Sequence, residues 1–354
     1  MASHPRSMDL PPFQPPWWLR GGHQQTLAAG CWFGHLPQYS ATPHEITLSD
    51  GDTVVVHDDR PLNWRPGGNV ALLMHGLSGS HQSPLLVRLT EKLTQRGIRV
   101  FRWDLRGAGA GQGLARRPYH AGCSEDLAHV INRVMDWCRP AAISDGEPDP
   151  QPPATSARLR PFLHLLGVSL SGNILLKYLG ERPDQVPPEV SQAIAVNPPI
   201  NLSQSVKAMG RSLLGWYDRH FVEKLFREVE QRRRILPDAP MPPRWDRPQG
   251  MMEFDDWYTA PMSGFESCGD YYQRCSAEQF MPDITTPTTV ITSRDDPMVP
   301  FPMMLASVDQ WSSHVRLATV AGGGHVGYFA RRGIDPDEFW LDWRIVELMT
   351  GHHS

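Results

Sequence analysis

The chain has 354 residues, 40% hydrophobic and 20% charged, a balance that supports a sizeable core and excludes wholesale disorder. Acidic and basic residues nearly cancel, 38 against 34, for a formal charge of −4, which excludes the basic footprint of a nucleic-acid binder; the excess of Arg over Lys is spread along the chain and reads as compositional drift. Five cysteines form no C-x-x-C pair, no stretch approaches the ~20 apolar residues of a membrane span, and the opening residues lack a signal-peptide core, so a soluble protein of the cytoplasm is expected.

Residues 1–43 are rich in Pro, Trp, Gly and His, show little helical or strand period, and are expected to wrap the core as an arm. Residues 44–60 hold a Ser-Asp-Gly-Asp turn between two β-branched runs, a hairpin signal. Strand and helix patterns then alternate. Asn69–Met74 suits a strand buried on both faces. Pro84–Arg96 has helical spacing, with Leu85, Leu86, Leu89 and Leu93 on one side and Gly97 closing it. Ile98–Trp103 reads as a strand and Ser124–Arg139 as a helix with Ser124 as its N-cap. The Pro-rich stretch 140–157 is a surface loop, Phe162–Val168 a strand, Asn173–Glu181 a helix, and Ala193–Val196 a strand stopped by Asn197-Pro198-Pro199.

Residues 203–280 are helix-forming, charged and aromatic, with no convincing strand. After Pro287 come a strand over Thr288–Ser293, a helix over 301–311, a strand over Val315–Val320 and a last helix over 336–350. This order predicts an α/β fold, a mostly parallel sheet flanked by helices, built from 44–202 and 281–354. The segment 203–280 is then a helical lid over the C-terminal strand ends. Its Trp216, Phe221, Leu225, Phe226 and Trp257 are expected chiefly to pack the lid on the core, with a channel for an apolar chain as the alternative. Arg232–Arg234 is expected to be a solvated helix face.

The chemistry concentrates at Gly167-Val168-Ser169-Leu170-Ser171-Gly172-Asn173, between a strand and a helix, the context of a nucleophile elbow. Such a turn strains its central residue and needs small flanking residues. Ser171 stands where a second glycine is usual, and it is the next-smallest polar choice. A serine nucleophile needs a base, and the base an orienting carboxylate, in the chain order Ser, acid, His. Asp296, just past the strand Thr288–Ser293 and immediately before Pro297, is the preferred acid, with Asp295 the alternative; either also suits a helix N-cap. His325, in the loop Gly322-Gly323-Gly324-His325 after the next strand, is the base. The oxyanion would form against the backbone N–H groups of Leu170 and of Leu77, in the loop Met74-His75-Gly76-Leu77-Ser78-Gly79. His75 is a weaker candidate base, better suited to bonding within that loop.

Two other motifs fail. Gly107-Ala108-Gly109-Ala110-Gly111 has no acidic residue placed about 20 positions on for a ribose, and the histidines show no H-E-x-x-H or metal-ligand spacing. No cofactor and no metal are expected. His352-His353 reads as a solvated tail.

With these residues in view, the chain resembles the YheT-like branch of the α/β-hydrolase superfamily, to which the animal α/β-hydrolase domain-containing proteins 1 and 3 also belong. The match runs from about residue 13 to 349. It includes Pro15-Pro16-Trp17-Trp18-Leu19-Arg20, Gly22-His23, Gln25-Thr26-Leu27, His75-Gly76-Leu77, Asp104-Leu105-Arg106-Gly107, Tyr119-His120-Ala121-Gly122, Asn197-Pro198-Pro199, Phe254-Asp255-Asp256 and Thr259-Ala260-Pro261. The resemblance implies an α/β-hydrolase fold, a Ser–Asp–His triad on positions 169, 296 and 325, and hydrolysis of lipid or short-chain carboxylic esters through an acyl-enzyme. Acyl transfer with the same triad, or ligand binding without catalysis, are the alternatives. The membrane anchor of the animal relatives has no counterpart here and is not expected to transfer.

Overall fold

Strand-forming runs too short for helices assemble into a nine-stranded sheet among the residues that the computed structural model describes, 7–31, 36–38, 40–139, 162–242 and 245–351. The strands are β1 (Ser7–Met8), β2 (Thr42–Thr47), β3 (Thr53–Asp59), β4 (Val70–Met74), β5 (Arg99–Asp104), β6 (Leu163–Val168), β7 (Val190–Val196), β8 (Thr288–Ser293) and β9 (Val315–Val320). Their order is β1-β9-β8-β7-β6-β4-β5-β3-β2, parallel from β1 to β5 and antiparallel at β3 and β2. The 140–157 loop and the His352-His353 tail lie outside the described residues.

The helices are α1 (Gly22–Cys31), α2 (Pro84–Thr94), α3 (Ser124–Cys138), α4 (Leu170–Glu181), α5 (Leu202–Arg211), α6 (Trp216–Ile235), the short α7 (Met251–Phe254) and α8 (Ala260–Met262), α9 (Cys268–Cys275), α10 (Phe301–Ser307) and α11 (Trp340–Thr350). The two-residue period of β4 divides its side chains between two cores. Val70, Leu72 and Met74 meet Leu127, Val130 and Ile131 of α3 and Ile174 and Leu175 of α4. Ala71 and Leu73 meet Leu86, Leu89 and Leu93 of α2 and Trp340, Ile345 and Met349 of α11. The mostly parallel sheet, covered by helices on both faces, is the α/β architecture expected from the strand–helix alternation. Among the described residues, no helix is long and apolar enough to cross a membrane.

Several boundaries differ from the sequence reading. The arm is not free of regular structure: β1 extends the sheet edge beside β9, and Gly22–Cys31 is helical. Ser124 is not an N-cap. Cys123 occupies that position, and the Ser124 hydroxyl instead donates to Glu181 (2.6 Å) and accepts from Lys177 (3.2 Å), so two charged groups of the neighbouring α4 compete successfully for it. Helix α4 starts at Leu170, three residues earlier than predicted, directly after Ser169.

Candidate active site

The parallel topology brings the loops that follow β4, β6, β7, β8 and β9 to one edge of the sheet, where ligands of open α/β folds bind. Ser169 ends the central strand β6 with φ +54° and ψ −118°, a conformation that costs free energy in a non-glycine residue and persists where its surroundings over-determine it. The crowding is visible in the glycines. A Cβ on Gly167 would overlap the Ser171 carbonyl, and one on Gly76 would lie 3.2 Å from Ser169 Cβ. Ser171, in place of the usual glycine, is fully buried and bonded: its hydroxyl accepts from the Val168 N–H (2.9 Å) and donates to the Met74 carbonyl (2.8 Å), tying the end of β6 to the end of β4.

The structure brings Ser169, His325 and Asp296 together. Ser169 Oγ lies 2.7 Å from His325 Nε2, and His325 Nδ1 lies 2.7 Å from Asp296 Oδ2. The other oxygen of Asp296 accepts the N–H groups of Met298 (2.8 Å) and Val299 (2.9 Å), which fix the carboxylate. Asp295 does a different job, accepting the Gly324 N–H at 3.0 Å and so holding the histidine loop. Leu77 and Leu170 line the same cavity as Ser169 and His325. The neighbouring Ser78 and Ser169 N–H groups are already taken by the Tyr119 hydroxyl (3.0 Å) and the Val196 carbonyl (2.8 Å). His75 is buried, its Nδ1 2.7 Å from the Gly76 carbonyl and its Nε2 accepting from the Leu105 N–H (3.1 Å); burial lowers its pKa, so it is a neutral strut of this loop.

Three residues that sequence reasoning did not single out position the histidine loop. Thr26 Oγ1 accepts the His325 N–H (2.9 Å) and donates to the Gly22 carbonyl (2.7 Å). Gln25, fully buried, bonds the Leu19 carbonyl (2.7 Å) and both the carbonyl (3.1 Å) and N–H (2.8 Å) of Phe329. A Cβ on Gly324 or Gly327 would overlap the Gly22 or Gln25 carbonyl, and one on Gly22 would overlap the Asp295 carbonyl, so α1 meets both the histidine loop and the acid loop backbone to backbone. From the other side Asn197, at φ +44°, donates to the His325 carbonyl while its Oδ1 accepts from the Ser293 N–H and the Tyr328 hydroxyl (both 3.1 Å). The signal for Asn197 was its type and place, since asparagine tolerates positive φ at a strand end.

A second constellation also escaped linear spacing. Among the described residues, His57, His81 and Asp104 hold three potential metal-ligand atoms within 4.8 Å of one another. The two rings stack, with centroids 3.5 Å apart and planes 17° apart, and both turn a nitrogen to the same carboxylate oxygen, Asp104 Oδ2, within hydrogen-bonding distance at 3.0 and 2.8 Å. Although burial pushes the Asp104 carboxyl up, these bonds hold its pKa well below the usual carboxylate range. The arrangement is a hydrogen-bonded brace between β3, β5 and the loop after β4.

The cavity above Ser169 has a volume of about 520 Å³. Trp216, Phe221 and Leu225 line it, while Leu225 is also buried in the apolar cluster of segment 203–280 and Phe221 packs against that cluster, so the two expected roles coexist. Phe226 and Trp257 are packing residues, stacked on each other and meeting Trp245 at a tilt and edge-on, at ring separations of 5.5–5.7 Å. The basic run divides as well. Arg233 lies over the Trp245 ring and Arg234 is exposed, whereas Arg232 turns toward the cavity.

A family model described as "Alpha/beta hydrolase family" matches residues 71–339. YheT of Escherichia coli (strain K12) is 26% identical over 323 residues, covering 88% of this chain and 86% of that protein. The monoacylglycerol lipase of Saccharomyces cerevisiae is 24% identical over 283 residues, covering 78% of this chain but 58% of the lipase, so the matched region is less than two thirds of that relative's length. Among solved structures, the Pyrococcus furiosus esterase PF2001 superposes with a TM-score of 0.52 at 15% identity, covering 89% of this chain and 92% of the esterase, a likeness of fold.

Proposed function

The chain belongs to the alpha/beta hydrolase family and is a carboxylic ester hydrolase, and from that premise we propose that it works through Ser169, His325 and Asp296. The observation that carries this reading is the pair of 2.7 Å contacts that link the serine to the histidine and the histidine to the aspartate. With Nδ1–H donated to Asp296, the free lone pair of Nε2 faces the Ser169 hydroxyl. His325 takes the Ser169 proton as Oγ bonds to the ester carbonyl carbon, and the resulting oxyanion lies against the Leu77 and Leu170 N–H groups. Asp296 stabilises the imidazolium without taking its proton. His325 then protonates the departing alcohol, leaving an acyl group on Ser169. Water, deprotonated by His325, attacks that acyl-enzyme and releases the acid and the free serine.

In this reading residues 203–280 act as a lid, and the apolar side chains of α5, α6 and α7 that line the cavity, among them Met209, Phe221, Leu225 and Phe254, accept the acyl portion of a lipid or short-chain ester. A cytoplasmic location accompanies the reading, in keeping with five cysteines that are all free. Labelling with a fluorescent fluorophosphonate tests the assignment: wild type is expected to label, and Ser169→Ala and His325→Ala are not. Labelling that survives Ser169→Ala would show that another residue is the nucleophile. Adding a competing alcohol during turnover of a p-nitrophenyl ester separates hydrolysis, which releases the acid alone, from acyl transfer, which yields a new ester.

A further inference from the structure

Opposite charges one turn apart on a helix usually pair, and α6 shows the usual case at Glu223 and Arg227, 2.9 Å apart. Glu228 and Arg232, another pair at this spacing on the same helix, behave differently. Both line the cavity that contains Ser169, and among the described residues neither makes an ion pair. Arg232 donates one bond, from Nη2 to the Ala115 carbonyl (2.7 Å), while its Nε is buried with no hydrogen-bond partner among the described residues. The Glu228 carboxylate accepts a long bond from the Tyr119 hydroxyl, 3.5 Å, which itself accepts the Ser78 N–H, and it feels the charge of Lys224, which lines the same cavity. Tyr258 feels the charge of both residues, and its own buried hydroxyl has no partner among the described residues. Burial accordingly lowers the Arg232 pKa and raises that of Glu228. Partly buried polar groups kept apart in this way cost free energy unless something bonds them.

We propose that Arg232, Tyr258 and Glu228 form the subsite for the alcohol portion of the substrate, and that the substrate is an ester of a hydroxyl-bearing alcohol. A hydroxyl both accepts and donates, so one or two of them satisfy the Arg232 and Tyr258 donors and the Glu228 acceptor together. An alkyl ester would leave Arg232 Nε and the Tyr258 hydroxyl without a partner and Glu228 with its one long bond. An anionic group would satisfy Arg232 but face Glu228. The apolar side chains of the same cavity are left for the acyl chain. This inference rests on the ester-hydrolase reading of the cavity, and it adds the residues that choose among esters.

The test compares kcat/KM for glyceryl monobutyrate and ethyl butyrate, which share an acyl group, and for the glycerol-phosphate monobutyrate as the anionic comparator. Wild type is expected to favour the glyceryl ester by about tenfold or more, because a site built to bond a hydroxyl discriminates against an analogue lacking it. Tyr258→Phe, Glu228→Gln and Arg232→Met are each expected to lower that ratio severalfold; a ratio is unaffected by partial loss of folded protein. A wild-type ratio near one, a ratio that none of the variants moves, or a preference for the anionic ester would overturn the proposal while leaving the hydrolase reading intact. A binding measurement separates the two in the other direction. If no ester is cleaved, calorimetry on Ser169→Ala still decides. Tighter binding of 1-O-octylglycerol than of 1-octanol, lost in Ser169→Ala/Arg232→Met, supports the subsite, and equal binding refutes it.

Discussion

Thr26→Val is expected to slow ester hydrolysis far more than it loosens the fold. The substitution keeps the shape of the side chain and removes the oxygen that accepts the His325 N–H at 2.9 Å. His325 is buried, so that N–H is left without an acceptor, at a cost of about 1–3 kcal/mol. For a chain of this length about 1–2 °C of melting temperature accompanies each kcal/mol, so Tm should fall by about 1–6 °C. The effect on rate is larger because His325 is held at 2.7 Å on both sides, and a misplacement of about 1 Å costs about 100-fold. Steady-state kinetics on p-nitrophenyl butyrate should therefore show kcat lower by about 10- to 100-fold with KM little changed, and Thr26→Ser should recover most of the loss. A kcat within twofold of wild type in a Thr26→Val protein whose Tm has dropped would refute the idea that α1 positions the histidine.

Two further perturbations separate neighbouring groups. Asp296→Asn, which breaks the bond that orients His325, should lower kcat by about 10⁴-fold, whereas Asp295→Asn retains an acceptor for the Gly324 N–H and should cost no more than a few-fold; equal losses in both would mean the acid has been misassigned. Asp255 is buried within segment 203–280, where burial pushes its carboxyl up to about 6 against hydrogen bonds that include the Tyr272 hydroxyl at 2.7 Å. The folded state therefore binds this proton more tightly than the unfolded chain, so the associated stability is present below about pH 4 and lost as pH rises through 6, at most about 3 kcal/mol. Asp255→Asn should raise Tm relative to wild type at pH 8 and match it at pH 4, and differential scanning calorimetry showing the same gain at both values would count against the buried carboxylate.

The parts of the molecule legible in the sequence are those encoded by short-range pattern. Strands β4 and β6 announce themselves as apolar runs because they are buried throughout, β5, β7, β8 and β9 by shorter apolar stretches, and α2 by its leucine spacing. The candidate site followed, since Ser169, Asp296 and His325 each stand just past such a strand, and finding the strands placed the loops. What pattern does not register is polar bonding directed at backbone. Helix α1, with the sequence Gly22-His-Gln-Gln-Thr-Leu-Ala-Ala-Gly-Cys31, has no apolar stripe, and the residues it buries are Gly22 and Gln25. Its partner is a loop rich in glycine, and the fit depends on the absence of side chains at Gly22, Gly324 and Gly327. Hydrophobic periodicity is blind to such an interface, so residues 1–43 read as an arm wrapping the core, with neither its helix nor its part in holding His325. The same blindness hid the Asp104 brace, whose three residues come from separate elements brought together by the β4-β5-β3 order. Composition therefore understated the N-terminal segment: Thr26, 299 residues from His325 in sequence, is bonded directly to its backbone.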